Sequence, residues 1–175
     1  VADAEYVFVP SKDLYDPVYL DVRVADRFAP TQIPTPGDPG EVIRGEPYIT
    51  MWGQDATDDK PGTTHISIVD QYGNAVAMTA TVESAFGSSR WAKGFLLNNE
   101  LTDFSLQPTK AGKPVANAPD GGKRPRSSMS PTLVFDESGD LFMVTGSPGG
   151  NSIIAYVAKT LVGVLDWGMG AQEVV

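Results

Sequence analysis

Cysteine is absent from the 175 residues, and histidine occurs once, at His65. The first absence excludes disulfides, thiolate nucleophiles and cysteine metal sites. The second leaves a Ser-His-Asp triad a single residue to use and makes a histidine metal site unpromising, so no metal is expected. Positive charge is also scarce. The chain carries a formal charge of −9, and the excess is uneven: residues 1–62 hold 12 acids against 5 bases, residues 63–175 hold 10 against 8. Phosphate binding needs a basic field, so no nucleic-acid partner is expected. The one basic cluster, Lys123-Arg124-Pro125-Arg126, reads as a solvated rim or a carboxylate-facing edge. No apolar run is long enough to suggest a membrane span. Nor does a charged-then-apolar leader precede Val1, so a targeting signal is expected to lie outside this chain.

What remains, 41% hydrophobic and 20% charged, is the composition of a globular protein in the size range of one domain. Residues 10–61 hold eight of the 14 prolines, and the dense stretch from Pro30 to Gly40 is expected to form no regular structure. Before it, Asp16 to Phe28 reads as a short helix with Asp16 as cap and Pro17 at its first position. After it, Trp52 to Pro61 is polar and turn-rich, an exposed and mobile approach to Gly62.

At Gly62-Thr63-Thr64-His65-Ile66-Ser67-Ile68-Val69-Asp70 the pattern changes to the period of two that a half-buried strand requires. The following Gln71-Tyr72-Gly73 is a three-residue hairpin loop with Gly last. Counted outward from it, Thr81 falls opposite Thr63, close enough for their hydroxyls to bond. A second hairpin closes at Glu137-Ser138-Gly139; its simplest register sets Ser127 and Ser128 near Gly149 and Pro148. Gly94 to Leu97 reads as a short buried strand, and Ser84–Lys93 and Gln107–Gly122 as loops. From about Asn151 to Asp166 a helix is expected to pack on the sheet through Ile153, Val157, Leu161 and their neighbours. Gly168-Met169-Gly170 ends it, and Ala171 begins another.

Taken singly these residues have ordinary explanations. A strand-initial threonine is common β chemistry, Ser-Pro-Gly-Gly is a tight turn, and isolated acids are mostly surface residues. His65 reads as a structural, hydrogen-bonded side chain. No Lys-Ser/Thr follows Gly149-Gly150, which excludes a Walker-type phosphate loop.

Together, four segments resemble the γ-glutamyltranspeptidase family in order and spacing: T-T-H-I-S-I-V-D from Thr63, L-L-N-N-E-L-T-D-F-S from Leu96, R-P-R-S-S-M-S-P-T from Arg124 and V-T-G-S-P-G-G from Val144. The resemblance implies an N-terminal nucleophile hydrolase of α/β (α+β) class, an αββα sandwich present here as a partial domain. Residues 1–62 would be the C-terminal end of the large-subunit region and 63–175 most of the catalytic small subunit. It further implies autocatalytic cleavage between Gly62 and Thr63, after which Thr63 attacks a γ-glutamyl substrate such as glutathione with its own freed amine as base. Thr81 would position the nucleophile, and the main-chain N–H groups of Gly149 and Gly150 would bind the oxyanion. Ser127 and Ser128 would hold the substrate's α-carboxylate, and Glu100 and Asp103 its ammonium. Glu83 stands where many members have Asn.

No cofactor is implied; the implied partners are the substrate and the rest of the large subunit, and the implied location is periplasmic or secreted. Residues 107–122 lack the tyrosine that lids the site in some relatives, so hydrolysis is expected to compete well with transfer. Two other classes stay open: a related acylase acting on β-lactam-type side chains, and an inactive module. With the Gly62 to Thr63 bond intact the 175-residue piece itself is expected to be inactive, and apolar faces meant for missing partners to drive self-association or leave parts poorly packed.

Overall fold

The computed structural model describes residues 2–25, 35–58 and 62–175. In chain order these form α1 (Pro17–Ala25), α2 (Pro39–Arg44), strands β1 (Thr63–Val69), β2 (Ala75–Thr81), β3 (Trp91–Ala92), β4 (Phe95–Leu96), β5 (Thr109–Lys110), β6 (Lys113–Pro114), β7 (Thr132–Phe135) and β8 (Leu141–Thr145), then α3 (Ile153–Leu165) and α4 (Ala171–Val174). Consecutive strands pair antiparallel into four two-stranded ladders, so the class is α+β. Two compact units divide the chain: the described residues of Val1–Ala56 with Phe104–Pro125, and those of Thr57–Asp103 with Arg126–Val175.

In the first unit α1 starts as expected: Pro17 opens it and the Asp16 carboxylate accepts from Val18 N at 2.9 Å. The stretch from Pro30 to Gly40 corrects the expectation at its end, and its first half lies outside the described residues. Asp38 caps α2 by accepting from Gly40 N at 2.9 Å, with Pro39 at the first position, so the Asp-Pro pair is a helix start within an irregular stretch. Asp38 also takes the Ile49 N–H at 2.6 Å. Within 107–122 the chain is not a plain loop. Ala111 and Gly112, both at positive φ, close the β5–β6 hairpin, since the two-residue turn that matches strand twist requires φ above zero at both positions.

The second unit is built on the β1–β2 hairpin, whose register pairs Thr63 with Thr81 and Val69 with Ala75 as counted from the sequence. Asp70 locks the turn: its carboxylate accepts from Tyr72 N, Asn74 N and Asn74 Nδ2 within 2.9 Å, and Gly73 takes φ +85°. The β7–β8 hairpin repeats this turn with Asp136 and Gly139. Its ladder slips by one residue, however. Phe135 pairs with Leu141 but Val134 pairs with Met143, leaving Phe142 as a bulge, so Thr132 faces Thr145 and the simple register fails beyond that point.

Two further expectations are revised. The short strand at Gly94 to Leu97 is not buried: it pairs only as a two-residue ladder with Trp91–Ala92, and Phe95 is 72% exposed. The α3 stripe buries Ile153, Val157 and Gly163 while Ile154, Val162 and Leu165 stay exposed. Gly163 packs against α4, where a Cβ on it would come within 2.4 Å of Val174. Gly168, at φ +65°, ends the helix as expected.

Candidate active site

Thr63 opens β1 and faces Thr81, the last residue of β2. The Thr81 hydroxyl does not donate to Thr63. It donates to the Gly62 carbonyl at 3.4 Å and accepts from Glu83 N at 2.9 Å. Glu83 turns sharply after β2 with φ +74° and is 7% exposed. Its carbonyl would stand 2.1 Å from a Cβ on Gly62, so only glycine fits ahead of Thr63 in this arrangement.

The second wall comes from the Asn98-Asn99-Glu100 segment. Asn98 accepts from Glu100 N at 3.1 Å and starts a single 3-10 turn over Glu100–Asp103. In that helix residues three apart eclipse, so Glu100 and Asp103 lie on one side. Asn99 fastens this turn to the Glu83 turn: its amide accepts from Ser84 N and donates to Ser84 Oγ, both at 3.0 Å, and donates to Thr102 Oγ1 at 2.8 Å. The carboxylates of Glu83, Glu100 and Asp103 consequently lie within 4.8 Å of one another. Burial, reinforced by the charge of Asp103, pushes the Glu100 carboxyl above the usual range, and its Oε1 is buried with no hydrogen-bond partner among the described residues.

These walls enclose a cleft that brings together Thr63, Thr81, Glu83, Glu100 and Asp103 with Ser127, Ser128 and Gly150. Gly149, at φ +133°, adjoins it, and Gly150, at φ +55°, opens the turn that leads into α3. Arg126, Met129, Asn151 and Ile153 also line it, and none of them is among the site residues expected from the sequence. Arg126 donates from Nε to Asp103 Oδ1 at 3.3 Å and from Nη2 to the Thr57 carbonyl at 3.2 Å. His65 is outside the lining. Its ring nitrogens bond Thr79 Oγ1 at 2.7 Å and Ser67 Oγ at 3.0 Å, and the ring lies against Gly146, where a Cβ would be 2.2 Å away. It holds the hairpins together, as a structural histidine would.

The fold class is that of the N-terminal nucleophile hydrolases, to which the structural neighbours of the chain belong. The chain is a member of the γ-glutamyltranspeptidase family, whose model matches residues 1–175. It is 36% identical over 177 residues to the glutathione hydrolase proenzyme of Bacillus subtilis subsp. natto, covering 99% of this chain and 29% of that protein. Over 121 residues it is 46% identical to the glutathione hydrolase proenzyme of Escherichia coli K12, covering 63% of this chain and 20% of that one. The chain thus spans less than a third of the length of these relatives. Among solved structures, the γ-glutamyltranspeptidase of Pseudomonas nitroreducens complexed with L-DON matches with TM-score 0.56 and 43% identity, over 64% of this chain and 61% of that chain. A mutant Helicobacter pylori γ-glutamyltranspeptidase gives 0.55 and 44%, over 64% and 63%.

Proposed function

We propose that the protein containing this chain hydrolyses or transfers γ-glutamyl groups, with glutathione as a representative donor, through an acyl-enzyme on Thr63. The observation that carries the reading is the pairing of Thr63 with Thr81 in the lining of a cleft that also holds three carboxylates and two serines. In the precursor the Thr63 hydroxyl attacks the Gly62 carbonyl, whose oxygen receives the Thr81 hydroxyl. The C–N bond breaks, the chain passes to the Thr63 oxygen as an ester, and water hydrolyses that ester. The products divide the chain into 1–62 and 63–175.

The freed α-amine of Thr63 then takes the hydroxyl proton as the oxygen attacks the γ-carbonyl of the donor, and returns it to the leaving amine. Main-chain N–H groups of Gly149 and Gly150 face the oxyanion. Water or an amine acceptor releases the acyl group, with water competing well. Ser127 and Ser128 receive the donor's α-carboxylate. Glu100, Asp103 and Glu83 receive its ammonium, and an ammonium there supplies donors to the partnerless Glu100 Oε1. Product analysis of the full-length, processed protein tests this: release of glutamate from glutathione supports it, whereas turnover of glutaryl amides in preference to γ-glutamyl amides supports the acylase reading instead.

A further inference from the structure

Arg126 has no part in the γ-glutamyl chemistry proposed above, yet its side chain is only 12% exposed and lines the cleft with Thr63 and Ser127. A guanidinium withdrawn from water needs acceptors held in place to offset its desolvation. Two come from different segments of the unit, the Asp103 carboxylate on the 3-10 turn and the Thr57 carbonyl six residues before Thr63. Because the guanidinium is a rigid planar fork, acceptors on two of its nitrogens fix the plane, and the plane fixes the carboxylate against it. Lysine would keep the charge and lose this orientation. Asp103 also needs holding: it shares 4.8 Å with Glu83 and Glu100, and like charges so close repel. Arg126 is the one cationic side chain lining the cleft among the described residues.

We propose that Arg126 is a positioning residue for the donor amine: it orients the Asp103 carboxylate so that Asp103 and Glu100 present a fixed pair of acceptors, and thereby sets the preference for donors that carry that amine. The inference rests on the reading of this cleft as a γ-glutamyl site. The test compares a γ-glutamyl anilide with the glutaryl anilide, which differs by the amine alone, on the full-length processed protein. Arg126→Gln should lower kcat/KM for the γ-glutamyl anilide by about 10- to 100-fold, chiefly through KM, since misplacing a substrate by an ångström costs about a hundredfold. The glutaryl anilide should change by less than about threefold on the same reasoning, because no amine is there to misplace. Arg126→Lys should fall between, and Arg126→Gln added to Asp103→Asn should cost nothing further.

A parallel fall with both anilides would mean a merely structural role and overturn the inference, as would unchanged selectivity in Arg126→Gln or independent losses in the double variant. A wild-type protein that prefers the glutaryl anilide would instead overturn the reading of the cleft, and the inference with it.

Discussion

Two arginines separated by Pro125 meet two acids in opposite circumstances. In the first unit Asp3, whose side chain is 1% exposed, is saturated: it accepts from the Arg124 backbone N–H at 2.9 Å, from Nε at 3.1 Å and from Nη2 at 3.0 Å, while the same Nη2 reaches Glu5 at 3.0 Å. These bonds, the guanidinium's first, hold the Asp3 carboxyl far below the usual carboxylate range. In the second unit Arg126 holds Asp103 beside Glu100, whose buried oxygen lacks a partner and whose carboxyl is pushed up. A satisfied acid is architecture. An acid cluster with unmet acceptor capacity, kept together at a cost, is what a site for a cationic ligand requires.

The sharpest way to break this contrast is to delete each acid. Asp103→Ala should reduce kcat/KM for a γ-glutamyl anilide by the equivalent of about 2 to 5 kcal/mol, the usual effect of truncating one partner of a buried charge pair. Asp3→Ala should do the reverse, lowering the melting temperature of the first unit and leaving turnover by the processed protein within about twofold, since Asp3 lies outside the cleft's lining. Equal effects of both on turnover would erase the distinction.

Acid should separate the two next. Asp3 has a depressed folded-state pKa, so its contribution is present above the unfolded value near 4 and is lost as pH falls through the lower folded value. Glu100 has a raised one, so it favours the folded state below its unfolded value and that contribution is lost as pH rises through the folded pKa. Melting curves from pH 7 down to pH 2 should therefore show loss of stability below about pH 4 in the parent that Asp3→Asn lacks. Glu100→Gln should be relatively more stable than the parent at neutral pH. If neither variant alters the profile, these environments are not as described.

The smallest expected effect lies in the first unit. Asp38→Ala removes the α2 cap and should cost about 1 kcal/mol, read from denaturant midpoints, with no change in selectivity between anilides.

Much of the site was legible because short-range chemistry wrote it. Asp70 and Gly73 fix a turn, the turn fixes the register, and the register brings Thr81 to Thr63. The second hairpin carries the same turn, but nothing in Leu141-Phe142-Met143 announces a bulge, so the simple count slipped by one. The clustering of Glu100 with Asp103 follows from local spacing on a 3-10 turn. That Glu83 joins them follows from a left-handed turn that glutamate does not signal, fastened by Asn99. Arg126 was hidden for a different reason: a run of basic residues does not say which acid each will meet, and its partner lies 23 residues away.

The central claim is that Thr63 becomes an N-terminus and then the nucleophile. Intact-mass spectrometry with N-terminal sequencing of the full-length protein, beside its Thr63→Ala variant, tests it most directly. The account predicts a fragment beginning at Thr63 together with γ-glutamyl turnover, and a single uncut, inactive chain in the variant. Efficient cleavage before residue 63 in Thr63→Ala, or full turnover by an uncut wild-type chain, would contradict it.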